Sequence, residues 1–237
     1  MPGTFPATDR AAVHLLREAG ATVVVPAAQG CCGSLHAHAG LRATARTLAL
    51  GNLDWFEEEG PFDFIATDVA GCGATLREYT DLFDAGGVHD AALAVRAASF
   101  AARVRDVTEV LAELGLPPAR ARVERTIAVH DPCHLAHAQK VRLAPRALLA
   151  SIPGLTLVEL EGSDRCCGSA GIYNLVQPEM AARLLDRKME TVDASGADVI
   201  AVGNAGCLLQ MEWGARKKGS VARMMHPVEI LAEAYPR

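Results

Sequence analysis

Aromatic residues make up only 5% of this 237-residue chain, and no run of lysine or arginine stands out. Net charge is −5 and the pI is about 5.9, so nucleic-acid binding has no electrostatic footprint here. No apolar stretch approaches the roughly 18 to 20 residues of a membrane-spanning helix. The longest Ala-rich segment, 91 to 104, is interrupted by Arg96 and Arg103. The opening MPGTFPATDR lacks the basic and apolar regions of a secretory signal. The expected compartment is therefore the cytoplasm, with any contact to the inner membrane made through partners. Thiols stay reduced there and disulfides are rare. The chain contains no CxxC, the usual mark of zinc knuckles and of thioredoxin-like redox sites. It also contains no flavin or dinucleotide fingerprint.

What the chain does contain is seven cysteines in a pattern: Cys31, Cys32, Cys72, Cys133, Cys166, Cys167 and Cys207. A constant offset of 135 residues carries Cys31, Cys32 and Cys72 onto Cys166, Cys167 and Cys207. The same offset aligns DFIATDVAGCG at 63–73 with DVIAVGNAGCL at 198–208. It also sets the helical pattern at 41–59 opposite that at 176–194, and TVVVP opposite LTLVEL. This is an internal duplication of one structural unit. Residues 1–118 and 119–237 are the expected units. The counterpart of Cys133 would fall at about −1 or −2, so the first unit is expected to lack its opening cysteine because the chain begins too late.

Half of the residues are hydrophobic and 22% are charged, an ordinary globular composition. Residues 6–19 read as a helix and TVVVP at 22–26 as a short buried strand. Residues 41–59 read as a helix ending near Gly60-Pro61, and FDFIAT as a strand. The segment 88–114 reads as strongly helical, and GLPPAR at 115–120 as the linker. RTIAVHD is a strand running into Cys133, and Asp131-Pro132 is expected to cap a helix starting there. An amphipathic helix with proline near its start follows at 177–190. Short β-branched strands alternating with helices argue for an α/β fold. Each cysteine motif follows a strand end, where α/β sheets gather their ligands.

Thiolates are soft ligands that select zinc, copper(I) and iron–sulfur clusters. The second unit offers four, Cys133, Cys166, Cys167 and Cys207, which suits an iron–sulfur cluster or a Cys₄ zinc site. Adjacent cysteines are poorly explained as bridges, because vicinal disulfides are strained. His130 and His134 flank Cys133 and are candidates for contacts to the ligands rather than to metal.

The stretches GCCGSLHAHAG, DPCHLAHAQKVR, CCGSAGIYNLVQPEMAARLLDRKM and GNAGCLLQ carry a family resemblance. They resemble the cysteine-rich CCG domain that occurs twice in heterodisulfide reductases. Over essentially the whole chain they look like the iron–sulfur subunit of glycolate oxidase. That resemblance implies two CCG units and an electron-transfer role alongside a flavoprotein that oxidises a 2-hydroxy acid. Electrons would pass on toward a quinone or other acceptor. By position it implies one cluster, [4Fe-4S], on Cys133, Cys166, Cys167 and Cys207. Cys31, Cys32 and Cys72 would form an incomplete second set. The chain departs from the heterodisulfide reductase pattern because Cys72 and Cys207 each stand alone where that family ends in CxxC. The ferredoxin-like segment of glycolate oxidase subunits is also not found, so the chain resembles their C-terminal half. The length is near that of CCG proteins of lactate utilisation. A thiol–disulfide reductase subunit and a zinc-binding structural subunit are the readings from other classes.

Overall fold

The computed structural model describes residues 4–27, 29–84 and 90–236. The first half runs α1 (Pro6–Glu18), α2 (Ser34–His38), α3 (Arg42–Glu59), β1 (Ile65–Thr67), α4 (Ala70–Arg77), α5 (Tyr79–Asp84), α6 (Ala91–Ala101), β2 (Val104–Asp106) and α7 (Val107–Leu114). The second runs β3 (Arg125–His130), a π-helical turn (His134–Ala138), α8 (Leu143–Ala150), β4 (Leu155–Val158), α9 (Tyr173–Val176), α10 (Pro178–Ser195), β5 (Val199–Val202), α11 (Ala205–Lys218), β6 (Arg223–Met225) and α12 (Pro227–Glu233). Every strand pairing is parallel: β1 with β2, and a four-stranded sheet in the order β4-β3-β5-β6. The expected α/β fold is the observed one.

Local chemistry explains most boundaries. α1 buries Ala11, Ala12, Leu15 and Leu16, the spacing of one helical face, and carries a proline in its first turn. α7 opens on a capping box in which Asp106 and Glu109 satisfy each other's backbone amides. α11 ends with Arg216, Lys217 and Lys218 in its last turn and a left-handed Gly219 beyond it.

The sheet order places the candidate site. From β3 the chain moves to β4 on one side, then returns to β5 on the other. The carboxyl ends of β3 and β5 therefore flank the point where strand order reverses, the usual ligand crevice of such sheets. Cys133 follows β3, and Cys207 lies in the first turn after β5.

Three expectations are corrected. TVVVP at 22–26 forms no strand, because its β-branched residues have no described strand to pair with. The 88–114 segment is not one helix, because Val104–Asp106 pairs with β1 as β2 and separates α6 from α7. Residues 88 and 89 of that reading lie outside the described residues. Asp131 does not cap a helix at Cys133: the turn there is π-helical and has no side-chain cap, and the Asp131 carboxylate instead pairs with Arg146 at 2.6 Å.

Hydrophobic packing crosses the repeat. One cluster unites Ala11, Leu15, Val107 and Leu111 of the first half with Ile127 and Ile230 of the second. A second, around Leu185, Met189 and Met211, includes Cys167 and Cys207. A third, around Leu53, Tyr79, Phe83 and Phe100, belongs to the first half alone.

His226 also joins the halves. Its Nδ1 accepts from the Val228 amide at 3.2 Å, and its Nε2 donates to the Asp68 carbonyl at 2.9 Å. The ring is therefore neutral, and burial pulls its pKa from 6.5 down to about 4. Between those values the unfolded chain binds the extra proton, so this contribution is present above pH 6.5 and is lost as pH falls toward 4. A His226→Gln variant has no such titration. Its stability deficit, about 1 kcal/mol or more at pH 7 from the lost cap, is expected to move by up to about 3 kcal/mol in the variant's favour on acidification, enough to reverse its sign. Urea unfolding of both proteins at pH 7 and pH 4.5 checks this; a pH-independent deficit refutes it.

Candidate metal centre

In the second half, His130, Cys167 and Cys207 each present a donor atom, and these atoms lie within 4.8 Å of one another; all three residues are buried. Cys166 is hydrogen-bonded to Cys167 and extends the group outward to partial exposure. Cys133, half-buried at the head of the π-helical turn, feels Cys166 electrostatically but stands outside the 4.8 Å group. In the first half, Cys32 and Cys72 touch at 3.0 Å between sulfurs, while Cys31 is exposed.

The two CCG loops are built alike. Gly33 and Gly168 both adopt positive φ, +81° and +91°. Their amides donate to the sulfurs of Cys31 at 3.4 Å and Cys166 at 3.3 Å. Each glycine lies against helix backbone, Gly33 beside Ala45 of α3 and Gly168 beside Ala181 of α10.

The thiols bear the marks of crowding. The hydrogen bond between them sets Cys32 and Cys72 apart: it draws Cys32 down to about 7 against the effect of burial, and together with burial it pushes Cys72 far upward. Cys166 is raised by its bond to Cys167 and by burial. For Cys167 the Cys166 bond acts downward, but the Cys207 bond and burial outweigh it and the thiol is raised. Cys133 is raised mainly by burial. Thiols that resist ionisation as a crowded group fit a site completed by positive charge among the sulfurs.

His130 supports that fit. Its Nδ1 lies 2.8 Å from the Ser163 carbonyl, so the proton sits there and Nε2 carries the lone pair. That buried Nε2 has no hydrogen-bond partner among the described residues. Burial, then the nearby Lys188 charge, lowers its pKa to about 4, so the ring stays neutral. His134, in the turn after Cys133, stacks on His38 with ring centroids 5.6 Å apart. An orphaned imidazole nitrogen beside a set of soft sulfur donors fits a metal ion or an inorganic cluster.

Sequence reasoning missed Asn204 and Lys188, and gave Asp131 a capping role in place of the one it has. Asn204 links the two halves: its Nδ2 donates to the Cys207 sulfur at 3.4 Å, and its Oδ1 accepts from the Gly71 amide, next to Cys72, at 3.0 Å. Asp131 fixes the turn into Cys133 by accepting from both Arg146 nitrogens and from the Ser163 hydroxyl at 2.8 Å. Lys188, on α10, is only 2% exposed. The one sequence signal for it is a lysine on the stripe that otherwise reads Ala181, Leu185, Met189 and Val192.

The comparisons with known proteins agree with this geometry. A family model of the cysteine-rich CCG domain matches residues 1–77 and 127–212. The chain is similar to the probable glycolate oxidase iron-sulfur subunit of Bacillus subtilis, at 40% identity over 99% of this chain and 52% of that protein. It is 30% identical to the glycolate oxidase iron-sulfur subunit of Escherichia coli, over 98% of this chain and 55% of that one. It is 28% identical to lactate utilization protein A of an Exiguobacterium strain, over 97% of this chain and 92% of that protein. The chain thus spans about half the length of the two glycolate oxidase subunits. Among the described residues, no helix is long and apolar enough to cross a membrane. The repeated cysteine pairs, their glycine loops and the two matched segments converge on one conclusion: the chain belongs to the CCG cysteine-rich domain family and carries that domain twice.

Proposed function

We propose that this chain is an iron–sulfur electron-transfer subunit of a flavin-dependent complex that oxidises glycolate or a related 2-hydroxy acid. The observation that carries the reading is the buried convergence of His130, Cys167 and Cys207 at the strand-order reversal, with Cys166 beside them. In this reading Cys133, Cys166, Cys167 and Cys207 hold one cluster, of the [4Fe-4S] type. Cys31, Cys32 and Cys72 form the corresponding, less complete set. The bound group would supply one-electron exchange between a flavoprotein partner and a quinone or other acceptor. The chain's own residues do the rest. The second hydrophobic cluster excludes water from Cys167 and Cys207. The Gly168 amide and the Asn204 side chain donate to ligand sulfurs, which tunes them. His130 contributes a neutral nitrogen beside them. The names of the glycolate oxidase relatives support the reading.

A second reading, service in lactate oxidation, is supported by the likeness to lactate utilization protein A over 97% of this chain. Both readings predict the same centre. The test is iron, acid-labile sulfide and zinc per chain on protein purified without oxygen, with EPR after reduction and after oxidation. About four irons and four sulfides per chain are expected. Stoichiometric zinc without sulfide would overturn the electron-transfer reading and leave a structural metal site. Reduction of the centre by glycolate but not lactate, in the presence of its co-purifying flavoprotein, separates the two substrates.

A further inference from the structure

Lys188 is a buried cation with no carboxylate on it. Among the described residues its Nζ donates to the Gly162 carbonyl at 2.7 Å and the Ser163 carbonyl at 3.4 Å. The Ser163 carbonyl is the same one that faces His130 Nδ1 at 2.8 Å and accepts from the Asp131 amide at 3.0 Å. Burying an ammonium is costly unless negative charge compensates it. Burial lowers the Lys188 pKa, and Arg165 acts in the same direction, while Cys167, Asp164 and Cys207 favour the charged form. Asp164 is itself engaged by Arg142 at 3.1 Å on the surface, which leaves Cys167 and Cys207 as the buried groups that favour the ammonium.

The duplication provides an internal control. The offset of 135 residues that superposes the cysteine motifs puts Leu53 where Lys188 stands. Leu53 is 1% exposed and packs in the apolar cluster of the first half. The same helix position is thus apolar beside Cys31, Cys32 and Cys72, and cationic beside Cys166, Cys167 and Cys207. Apolar packing alone satisfies the helix at this position, so the lysine serves something particular to the second half.

We propose that Lys188 is a positioning residue whose ammonium compensates the negative charge gathered by the second-half cysteines, and so raises the reduction potential of the group they hold. This rests on the iron–sulfur reading above. Uptake of one electron adds one unit of negative charge to a centre without breaking a bond. A fixed cation nearby in a low-dielectric interior stabilises that reduced form. The first half, with Leu53, offers no such stabilisation.

The test compares Lys188→Met, Lys188→Arg and the parent protein, each reconstituted without oxygen, assayed for iron and sulfide, and titrated with dithionite under EPR. Lys188→Met is expected to lower the midpoint potential by at least tenfold in the one-electron equilibrium, about 59 mV, with Lys188→Arg close to the parent. Loss of the cluster in Lys188→Met but not in Lys188→Arg also supports a requirement for charge. An unchanged potential in a fully loaded Lys188→Met protein overturns the proposal. So does cluster loss in both variants, which would assign the lysine a role through its carbonyl hydrogen bonds alone. If the parent protein takes up no iron and sulfide, the iron–sulfur reading itself has failed, a result distinct from either.

Discussion

Replacing Cys167 or Cys207 with serine is expected to abolish iron and sulfide binding by the second half, and with it any EPR signal from that centre. Both sulfurs are buried, 1% and 6% exposed, within one hydrophobic cluster. Water cannot enter readily to take the place of a lost ligand. A serine hydroxyl is a hard, protonated donor and a poor substitute for a soft thiolate. Cys72→Ser removes a sulfur from the other loop, in contact with Cys32 at 3.0 Å. It is expected to leave the second-half centre loaded. His134→Ala is expected to leave it loaded as well, because that ring is engaged in stacking on His38. Iron and sulfide assays on the four variants, beside the parent, check the pattern. Full loading in both Cys167→Ser and Cys207→Ser would show that the buried group is no ligand set.

Gly168→Ala is expected to be the most damaging substitution outside the sulfurs. At φ +91° an alanine sits in a region that side chains rarely adopt, and its Cβ would collide with the Ala181 carbonyl of α10. Left-handed strain costs about 1–2 kcal/mol, and forced repacking about 1–3 kcal/mol more. A loss of about 3 kcal/mol corresponds to a fall in Tm of roughly 6–12 °C for a chain of this size. The colliding atom is helix backbone, which cannot swing aside as a side chain would. Gly33→Ala meets the same strain, but its Cβ would lie 3.3 Å from Ala45 backbone, tight rather than overlapping. Its effect should be in the same direction and smaller. Thermal melts of the two variants decide this; equal Tm values for Gly168→Ala and the parent would refute it. The third letter of each CCG triplet is thus explained by backbone geometry.

Much of the fold is legible in the residues alone. The offset that matches the cysteines also matches α3 to α10 and β1 to β5, because one fold unit was copied with its spacing intact. Strands β3 and β5 are fully apolar in their buried positions apart from His130, and read directly as central strands. What failed depended on partners distant in sequence. Val104–Asp106 follows an Ala-rich helix and has no strand signature of its own; pairing with β1 makes it one. TVVVP has the composition of a strand but no neighbour among the described residues. The π-helical turn at His134–Ala138 leaves no sequence trace at all. At the site, the cysteines stand out by their repeat, whereas Asn204 carries no signal and Asp131 reads as a helix cap. Their roles arise from contacts with Gly71 and Arg146, which no local pattern encodes. Lys188 could have been noticed as a charge on an apolar stripe.

The shared interior of the two halves has an evolutionary consequence. Copying produced two cysteine loops, yet α1 and α7 bury Leu15 and Leu111 in the same cluster as Ile127 and Ile230. The repeats are therefore not interchangeable parts. A half taken from another family member would bring its own α1 and α7 faces, cut to a different sheet, and the joint interior would have to be refitted residue by residue.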